Sequence, residues 1–423
     1  MATSSLYEDL ISELESTLTI DAHEHLMTEE EHLKEEFDFY SLFSHYCSGD
    51  LLAAGATQEL LKFWADKSVP VKERWKSFKP FFEMIRTGSY ARFSLIVIRE
   101  LLGFEDLSDE TVEPIGEKLS EMNRPGLYDE ILRRRCNLAA CIQCWMLGKP
   151  GPDYFYHLGA SYDLTDLFNR ERILTLAKEC NRNIRSLDDV LECVHIKIDQ
   201  WKKAGVVGIK TAHAYSRSLH FEDADRASAE RAFKMALNER SHMISLTEIK
   251  PLQDFMMHRL AAAAEDADLP LVIHTGIQAG SEGRICDANP LLLQDLLEKF
   301  PALKIDLFHG GVPFVREIAM LAKYFPGVHL NMAWMHIISP SMARSALSEW
   351  LELVPNNKII GFGGDLSMVE LVYGHLRIAR ENIAVVLAEK VSSGVYSRTE
   401  VSYLIRALMF DNPNRFYKLG LKR

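Results

Sequence analysis

Short apolar runs alternate with amphipathic stretches of helical length along most of the chain. These runs lie at TLTI (17–20) and at residues 138–147, 206–210, 269–274, 303–309, 328–334 and 358–365. A weaker run, YHLGASYD, lies between 138–147 and 206–210. Apolar strands separated by helices are typical of a parallel sheet with helices on its faces. Eight such strands favour a closed (β/α)8 TIM barrel, an α/β fold.

Several intervening stretches carry helix-boundary signals. Ser186 stands three positions before Asp189, which resembles a capping box, and Gly205 ends that stretch. Pro290 is placed for the first turn of another helix. Residues 26 to about 130 break the alternation and look helical, irregular and rich in aromatic side chains. We therefore expect one barrel domain over residues 1–423, with a mostly helical insertion at about 26–130.

Composition and charge narrow the classes of partner. The chain is 47% hydrophobic and 26% charged, as in ordinary globular proteins. A net charge of -12 argues against nucleic acid and anionic membranes as partners. No apolar run approaches the roughly 20 residues that span a bilayer. The first residues lack the basic-then-apolar order of a signal peptide, so we expect a cytoplasmic protein.

The seven cysteines show no spacing that suggests a disulfide framework, and reduced thiols are the simplest interpretation. Cys141 and Cys144 form a C-x-x-C motif, which is typical of redox pairs and of half a zinc site. No second C-x-x-C accompanies it, and it lies within an apolar run. We interpret it as packing in a buried strand.

Polar side chains stand where the predicted strands stop. They are His23, His25, Lys210, His274, His309 and Asp365. The chemistry of a β/α barrel lies at the C-terminal ends of its strands, and alternation along a strand places the two histidines of DAHEHL on one face. Each residue taken alone has an ordinary explanation as a solvated strand end. The set together indicates a divalent metal site.

The same residues carry a resemblance to the amidohydrolase superfamily of metal-dependent hydrolases, and within it to the branch of uronate isomerases and aromatic-acid decarboxylases. DAHEHL, GIKTAHAY, VIHTG, LFHGG and GFGGDLS follow the family order: H-x-H at strand one, an optional lysine at strand four, histidines at strands five and six, and an aspartate at strand eight. The H-G-G with Pro313 resembles the strand-six signature of this branch. AGVVGIK is similar to strand four of phosphotriesterase-like members.

This resemblance implies a ligand set. His23, His25 and Asp365 would hold one ion, and His274 and His309 would hold a second. In a single-metal site, His274 would bind the ion and His309 would contact the substrate. The expected metal is zinc (Zn2+, one or two ions), with Mn2+ or Fe2+ as alternatives. Asp365 would take a proton from a metal-activated water and pass it to the leaving group.

The resemblance leaves two states open for Lys210. As in phosphotriesterase-like members, it would become carboxylated and bridge two metal ions. Alternatively it would remain an ammonium beside a single ion and pair with a carboxylate of the protein or of the substrate.

Further residues in the loops after the strands are candidates for holding a substrate. They are His213, Tyr215, Arg217, Arg284, Trp334 and His336. Arg217 would pair with a substrate carboxylate, and Tyr215 would polarise a carbonyl oxygen. The alternative for each is an ordinary loop residue, and for Trp334 it is packing. The aromatic insertion would serve as a lid or as a contact in a homo-oligomer.

The expected function is metal-dependent hydrolysis of a C–N or C–O bond in the amide, ester or lactone group of a small molecule. The sequence does not decide whether that molecule also carries a carboxylate. One alternative is an isomerase or non-oxidative decarboxylase on the same scaffold. Another is a binding or assembly protein that keeps the barrel without catalysis. The complete ligand set argues against this last alternative.

Overall fold

Eight parallel strands pair in chain order around a barrel. The computed structural model describes residues 2–144, 147–149, 151–238, 244–280 and 282–422. Every ladder from the first strand to the eighth is parallel. The strands are β1 Thr19–Glu24, β2 Leu138–Gln143, β3 Phe155–Ala160, β4 Gly208–Thr211, β5 Leu271–His274, β6 Ile305–Phe308, β7 Val328–Asn331 and β8 Ile359–Ile360.

The barrel is closed by hydrogen bonds between β1 and the chain that follows β8. Ala22 N donates to Phe362 O at 3.1 Å, and Asp365 N donates to His23 O at 2.8 Å. We call this junction the seam. Its presence confirms the predicted (β/α)8 barrel.

Helices fill the connections between the strands. The described α-helices are α1 Ala2–Ser16, α2 Glu29–His32, α3 Cys47–Ala53, α4 Gln58–Ala65, α5 Val71–Ile85, α6 Ser89–Ile96, α7 Val112–Met122, α8 Tyr162–Thr165, α9 Arg170–Glu179, α10 Leu187–Lys203, α11 Arg226–Leu237, α12 Leu246–Asp266, α13 Gln294–Lys299, α14 Val315–Tyr324, α15 Met335–Ile338, α16 Pro340–Leu353, α17 Val369–Ser392, α18 Arg398–Arg406 and α19 Asn412–Phe416. Among the described helices, none combines the length and the apolar character that crossing a membrane requires.

Local signals read from the sequence account for several helix ends. The capping box predicted at the start of α10 is confirmed: Ser186 Oγ accepts from Asp189 N at 3.3 Å, and the Asp189 carboxylate accepts from Ser186 N at 2.8 Å. Pro290 begins a short 3₁₀ turn that leads into α13.

Three strands, β2, β7 and β8, end well before the apolar runs that predict them do. β2 ends at Gln143, and residues 145 and 146 of its predicted run lie outside the described residues. β7 ends before Trp334, whose backbone is left-handed at φ 63° and cannot continue a strand. β8 ends at Ile360 because the next amide, that of Gly361, donates to Leu408 O and not to β7.

Helices α2–α7 between β1 and β2 pack around an aromatic cluster. The Phe78 ring centroid lies 5.5 Å from Phe39, 5.7 Å from Tyr40 and 5.2 Å from Trp64, all with edge-to-face angles. Such aromatic pairs add stabilisation beyond the area they bury. The cluster fixes the segment that carries Tyr46 to the C-terminal end of the barrel.

A buried carboxyl group lies in the barrel wall. Asp306 in β6 accepts hydrogen bonds from Asn331 Nδ2 at 2.8 Å and from the Tyr417 hydroxyl. Burial raises the pKa of Asp306 to about 7, although the hydrogen bonds from Tyr417 and Asn331 oppose the shift. The group therefore holds its proton across a pH range in which an exposed aspartate has lost it.

This shift predicts a pH-dependent term in stability. Because the unfolded Asp306 loses its proton near pH ~4, the folded chain binds the extra proton between pH ~4 and about 7. That contribution is complete at the acid end of the window and is lost as the pH rises through it. Asp306→Asn should remove a slope of about 1.4 kcal/mol per pH unit from the free energy of unfolding.

Urea unfolding across this window measures the slope. Asp199→Asn, at an exposed position of α10, is the matched control and should keep the wild-type slope. Equal slopes for wild type and Asp306→Asn would contradict the assignment.

Candidate metal centre

The Asp365 carboxylate lies between two imidazoles at the C-terminal end of the barrel. Its Oδ1 is 3.0 Å from His23 Nε2 and 3.1 Å from His25 Nε2. His23 is buried at the end of β1, whereas the His25 side chain, just past the strand, is 29% exposed. The structure therefore brings together three of the residues that the sequence singles out, with one carboxylate oxygen within 3.1 Å of both imidazoles.

Backbone contacts of the seam hold Asp365 in this position. Its backbone is left-handed, at φ 58°, and its carbonyl accepts a hydrogen bond from the Tyr46 hydroxyl. The preceding Gly364 is needed because a Cβ there would lie 1.7 Å from Glu24 Oε1. The carboxylate is therefore aimed by the backbone before any ligand binds.

The charge of this carboxylate is maintained by its neighbours. Burial alone would raise the pKa of Asp365, but the neighbouring His23, followed by His25 and His309, holds the pKa well below its usual range. Burial lowers the pKa of His23 well below its usual value. A buried anion facing neutral imidazoles is a donor set that suits a divalent cation.

The second histidine pair gives an independent test of that fit. His274 Nε2 is 2.9 Å from Ile277 O, and His309 Nδ1 is 3.0 Å from Ala333 O. Because a carbonyl can only accept, both of these nitrogens carry the proton in the neutral rings. The remaining lone pairs, on His274 Nδ1 and His309 Nε2, then face each other at 2.9 Å.

Two lone pairs at that distance repel each other unless a cation lies against them. Burial lowers the pKa of His274 to about 3 and that of His309 well below its usual value, so protonation is an unfavourable way to relieve the repulsion. A metal ion is the alternative, since imidazole nitrogen is among its commonest ligands. The residues present therefore fit a metal centre on the chemistry of their donor atoms.

Lys210 lies in the barrel interior beside these groups. Its Nζ is 4.0 Å from the centroid of the Phe308 ring, and it has no hydrogen-bond partner among the described residues. The residue is 3% exposed, and burial lowers the pKa of its amine. A buried amine without a partner is costly, and a bound ligand or a covalent modification would relieve that cost.

Cys144, interpreted from the sequence as packing, contacts the centre. Its Sγ lies 3.4 Å from His23 Nδ1, on the opposite side of the ring from Asp365. The sulfur and the imidazole nitrogens of His23 and His25 lie within 4.8 Å of one another. Because one ring cannot aim both nitrogens at one ion, Cys144 is placed to accept from Nδ1 and leave Nε2 as the ligand atom. Its position at a strand end is the signal that could have found it.

Arg217 and His213 are committed to other contacts. The Arg217 guanidinium contacts Asp254 at 2.6 Å, Gln253 at 3.4 Å and two backbone carbonyls. Both ring nitrogens of His213 face threonine hydroxyls, including that of Thr165 at 3.0 Å. Neither side chain is available for the substrate contact predicted for it, because buried polar groups satisfy one another first.

His336 and Arg284 are likewise occupied elsewhere. His336 Nε2 lies 2.9 Å from Gly361 O, and its Nδ1 faces the Asn382 amide. Arg284 is largely exposed and pairs with Asp287 at 2.6 Å. His336 lies on α15, after the end of the seventh strand.

Two of the predicted substrate residues do lie at the centre. The Tyr215 ring is 4.6 Å from that of His274, and its hydroxyl accepts from Ala279 N at 3.1 Å. Trp334 is buried with its ring 5.3 Å from that of His309 and perpendicular to it, and its Nε1 has no described partner. Tyr46 stacks on Trp334 at 4.5 Å. Tyr46 was missed because nothing in the spacing of the insertion identifies which aromatic residue reaches the barrel.

A cavity of about 450 Å³ opens above these aromatic rings. Its walls come from the insertion, from the loop after β5 and from Trp334; they include Tyr46, Asp50, Tyr90 and Gln278. None of the described residues that line it carries a positive charge. The cavity therefore has three aromatic rings in its wall, and one of them, Trp334, also contacts His309 of the histidine pair.

Comparisons with known proteins agree with this fold. Residues 169–419 match the model of a family described as amidohydrolase. The fold is similar to that of glucuronate isomerase from Caulobacter crescentus, with a TM-score of 0.81 and 19% identity over 100% of this chain and 95% of that one. It is also similar to uronate isomerase from Thermotoga maritima, with a TM-score of 0.79 and 16% identity over 98% and 97% of the two chains. At these identities the likeness establishes the fold alone.

One relative matches by sequence over only part of each chain. Protein fluG of Emericella nidulans is 26% identical over 224 residues, which are 51% of this chain and 26% of that protein. The chain thus spans about a quarter of the length of this curated relative.

Metal content tests the centre directly. Purified protein should contain one to two transition-metal ions per chain by elemental mass spectrometry, and His23→Ala should lose at least one of them. Because a bound ion stabilises only the folded state, chelation should lower the melting temperature, by an amount equivalent to about 4 kcal/mol if the free ion exceeds its dissociation constant a thousandfold. His220→Ala, a partly exposed histidine, is the control and should keep the metal. Folded, active protein free of metal would refute the assignment.

Proposed function

The chain belongs to the amidohydrolase family and is an enzyme of that superfamily, and from this premise we propose that it hydrolyses a C–N or C–O bond of a small molecule. The observation that carries the proposal is the buried, ionised Asp365 between His23 and His25, with a second pair of imidazole lone pairs beside it. Amides, esters and lactones are the substrate classes this chemistry serves.

The proposed ligands follow from the donor atoms. His23, His25 and Asp365 would hold one ion, and His274 and His309 would hold a second. Zinc is the proposed metal, with Mn2+ or Fe2+ as alternatives, because imidazole and carboxylate donors suit all three. When bound, such an ion supplies Lewis acidity, which makes water a better nucleophile near neutral pH and polarises a carbonyl.

Asp365 is the proposed proton carrier. Its pKa is held below the usual range, so it is ionised at neutral pH and free to accept a proton. Oδ1 is engaged by His23 and His25, whereas Oδ2 lies 3.8 Å from His309 Nδ1 and is the less occupied oxygen. We assign Oδ2 to receive the proton of the attacking water and to deliver it to the leaving group.

The lowered pKa of Lys210 supports its carboxylation. A neutral amine adds carbon dioxide and releases one proton to give a carbamate, which is an anionic ligand. Burial lowers the pKa of this amine, and its Nζ has no described partner that the modification would displace. A carbamate at this position would give the two proposed ions a shared ligand.

The residues that line the cavity favour a substrate that places no carboxylate at the mouth of the cavity. Its described walls include three aromatic rings and the carboxyl group of Asp50, which would repel an anion. Arg217, the residue predicted to bind a substrate carboxylate, is paired with Asp254. We therefore propose an uncharged substrate with an apolar or planar group that packs against Tyr46 and Trp334.

An isomerase or non-oxidative decarboxylase is the second candidate, supported by one observation. Lys210 Nζ lies against the face of Phe308 at 4.0 Å, a contact that stabilises an ammonium. A charged Lys210 would exclude a second metal ion and would instead pair with a carboxylate of the substrate. Uronate isomerases with this fold make that alternative a concrete one.

Asp365→Asn tests the proton carrier. The amide keeps the shape of the side chain but cannot take a proton, so turnover should fall by about 10² to 10⁴-fold, the range for loss of a general acid–base group. Steady-state kinetics on a panel of simple esters, lactones and amides measures the loss, with Asp295→Asn, which faces solvent, as control. Near-normal turnover in a folded variant would mean that the proton goes elsewhere.

Lys210→Ala separates the two candidates. If Lys210 is a bridging carbamate, the variant should lose one metal ion and most activity, and a short carboxylic acid with bicarbonate should restore part of both. If Lys210 is an ammonium, the variant should keep its metal content and show mainly a raised KM. Metal analysis together with intact-protein mass spectrometry distinguishes these results.

A further inference from the structure

A second cavity lies at the other end of the barrel, beside the N-terminal end of β2. It has a volume of about 370 Å³, within the range of small-molecule sites. The end of α1, the turn before β2 and the middle of α17 enclose it. Its polar lining includes Glu15, Arg134, Arg135, Asn137, Arg377 and Arg380.

The lining is strongly positive in a chain whose net charge is -12. Four of the lining residues are arginines, and Glu15 is the acidic residue among them. Arg377 pairs with Glu15 at 2.9 Å, and Arg134 lies 3.6 Å from Asp129. Within the described part of the chain, Arg135 and Arg380 form no ion pair, so the cavity carries an excess of positive charge.

Arg380 distinguishes this cavity from a chance group of surface arginines. The residue is only 5% exposed, and one of its terminal nitrogens donates to Cys136 O at 2.6 Å. Its Nε has no hydrogen-bond partner among the described residues. A buried guanidinium that is neither ion-paired nor fully hydrogen-bonded carries a large desolvation cost, which an anion would relieve.

We propose that this cavity binds a small anion through a phosphoryl group, either inorganic phosphate or the phosphate of a small metabolite. Guanidinium groups match phosphate oxygens in two-point contacts, and several arginines converging on one space are the usual device for that recognition. Arg380 and Arg135 would make the principal contacts. Glu15 stays engaged with Arg377, which limits its repulsion of the ligand.

Isothermal titration calorimetry of the full chain tests the proposal, with inorganic phosphate and glycerol phosphate as probes at constant ionic strength. One site per chain is expected, and Arg135→Gln should weaken it by about tenfold, the effect of losing one charged hydrogen bond. Arg380→Gln should weaken it at least as much. If that variant fails to fold, the exposed Arg135 still decides the result. Arg231→Gln, an exposed arginine of α11 that forms no ion pair among the described residues, is the matched control and should bind as wild type does.

The two probes separate the sources of the ligand. Equal affinity for both supports a site for the phosphoryl group alone, and tighter binding of the ester supports a metabolite with an organic part. Absence of saturable binding would overturn the proposal. It would also fail if Arg231→Gln weakened binding as much as Arg135→Gln, or if binding survived both cavity variants and was lost in Asp365→Asn, because the anion would then lie at the metal centre.

Discussion

The seam between β1 and the chain after β8 is the constraint on which the candidate centre depends. His23 O accepts from Asp365 N, and His25 N donates to Leu366 O at 3.1 Å, so the three proposed ligands are neighbours of the bonds that close the barrel. The hydrogen bonds that close the barrel therefore also bring these three residues together. Residues from opposite ends of the sequence meet because the last strand has only the first one left to join.

Two buried carboxyl groups beside the seam allow β1 and the chain after β8 to approach each other closely. Glu24 Oε2 accepts from Leu366 N at 2.6 Å, and Asp21 Oδ1 accepts from Gly364 N at 3.0 Å. Burial raises the pKa of Asp21 to about 7 and that of Glu24 well above its usual value. With the pair partly protonated, the seam gains side-chain acceptors for two backbone amides without placing two further full charges beside Asp365. The acids on either side of the first histidine in DAHEHL therefore have a structural purpose.

The fold and the central donor set could be predicted from the sequence because both follow from regular patterns. Apolar runs define the strands, and in a parallel barrel every strand end faces the same side, so a polar residue at a strand end is already placed. Loop residues have no such rule. Arg217 stands close to Lys210 in sequence, yet its guanidinium is used by Asp254 on α12, a partner that no local spacing indicates. Tyr46 could not be predicted either, because long-range packing of the insertion decides which aromatic side chain reaches Trp334.

Unsatisfied polar atoms gather around the centre. Lys210 Nζ and Trp334 Nε1 have no described partner, and the lone pairs of His274 and His309 face each other at 2.9 Å. Each arrangement costs free energy in isolation and persists only because the surrounding barrel fixes it. A cation between the imidazoles would relieve the repulsion of the histidine lone pairs, and a substrate acceptor at the indole N–H would satisfy Trp334 Nε1. The barrel thus holds its polar groups where ligands will need them, and the binding of those ligands should add to its stability because little rearrangement has to accompany it.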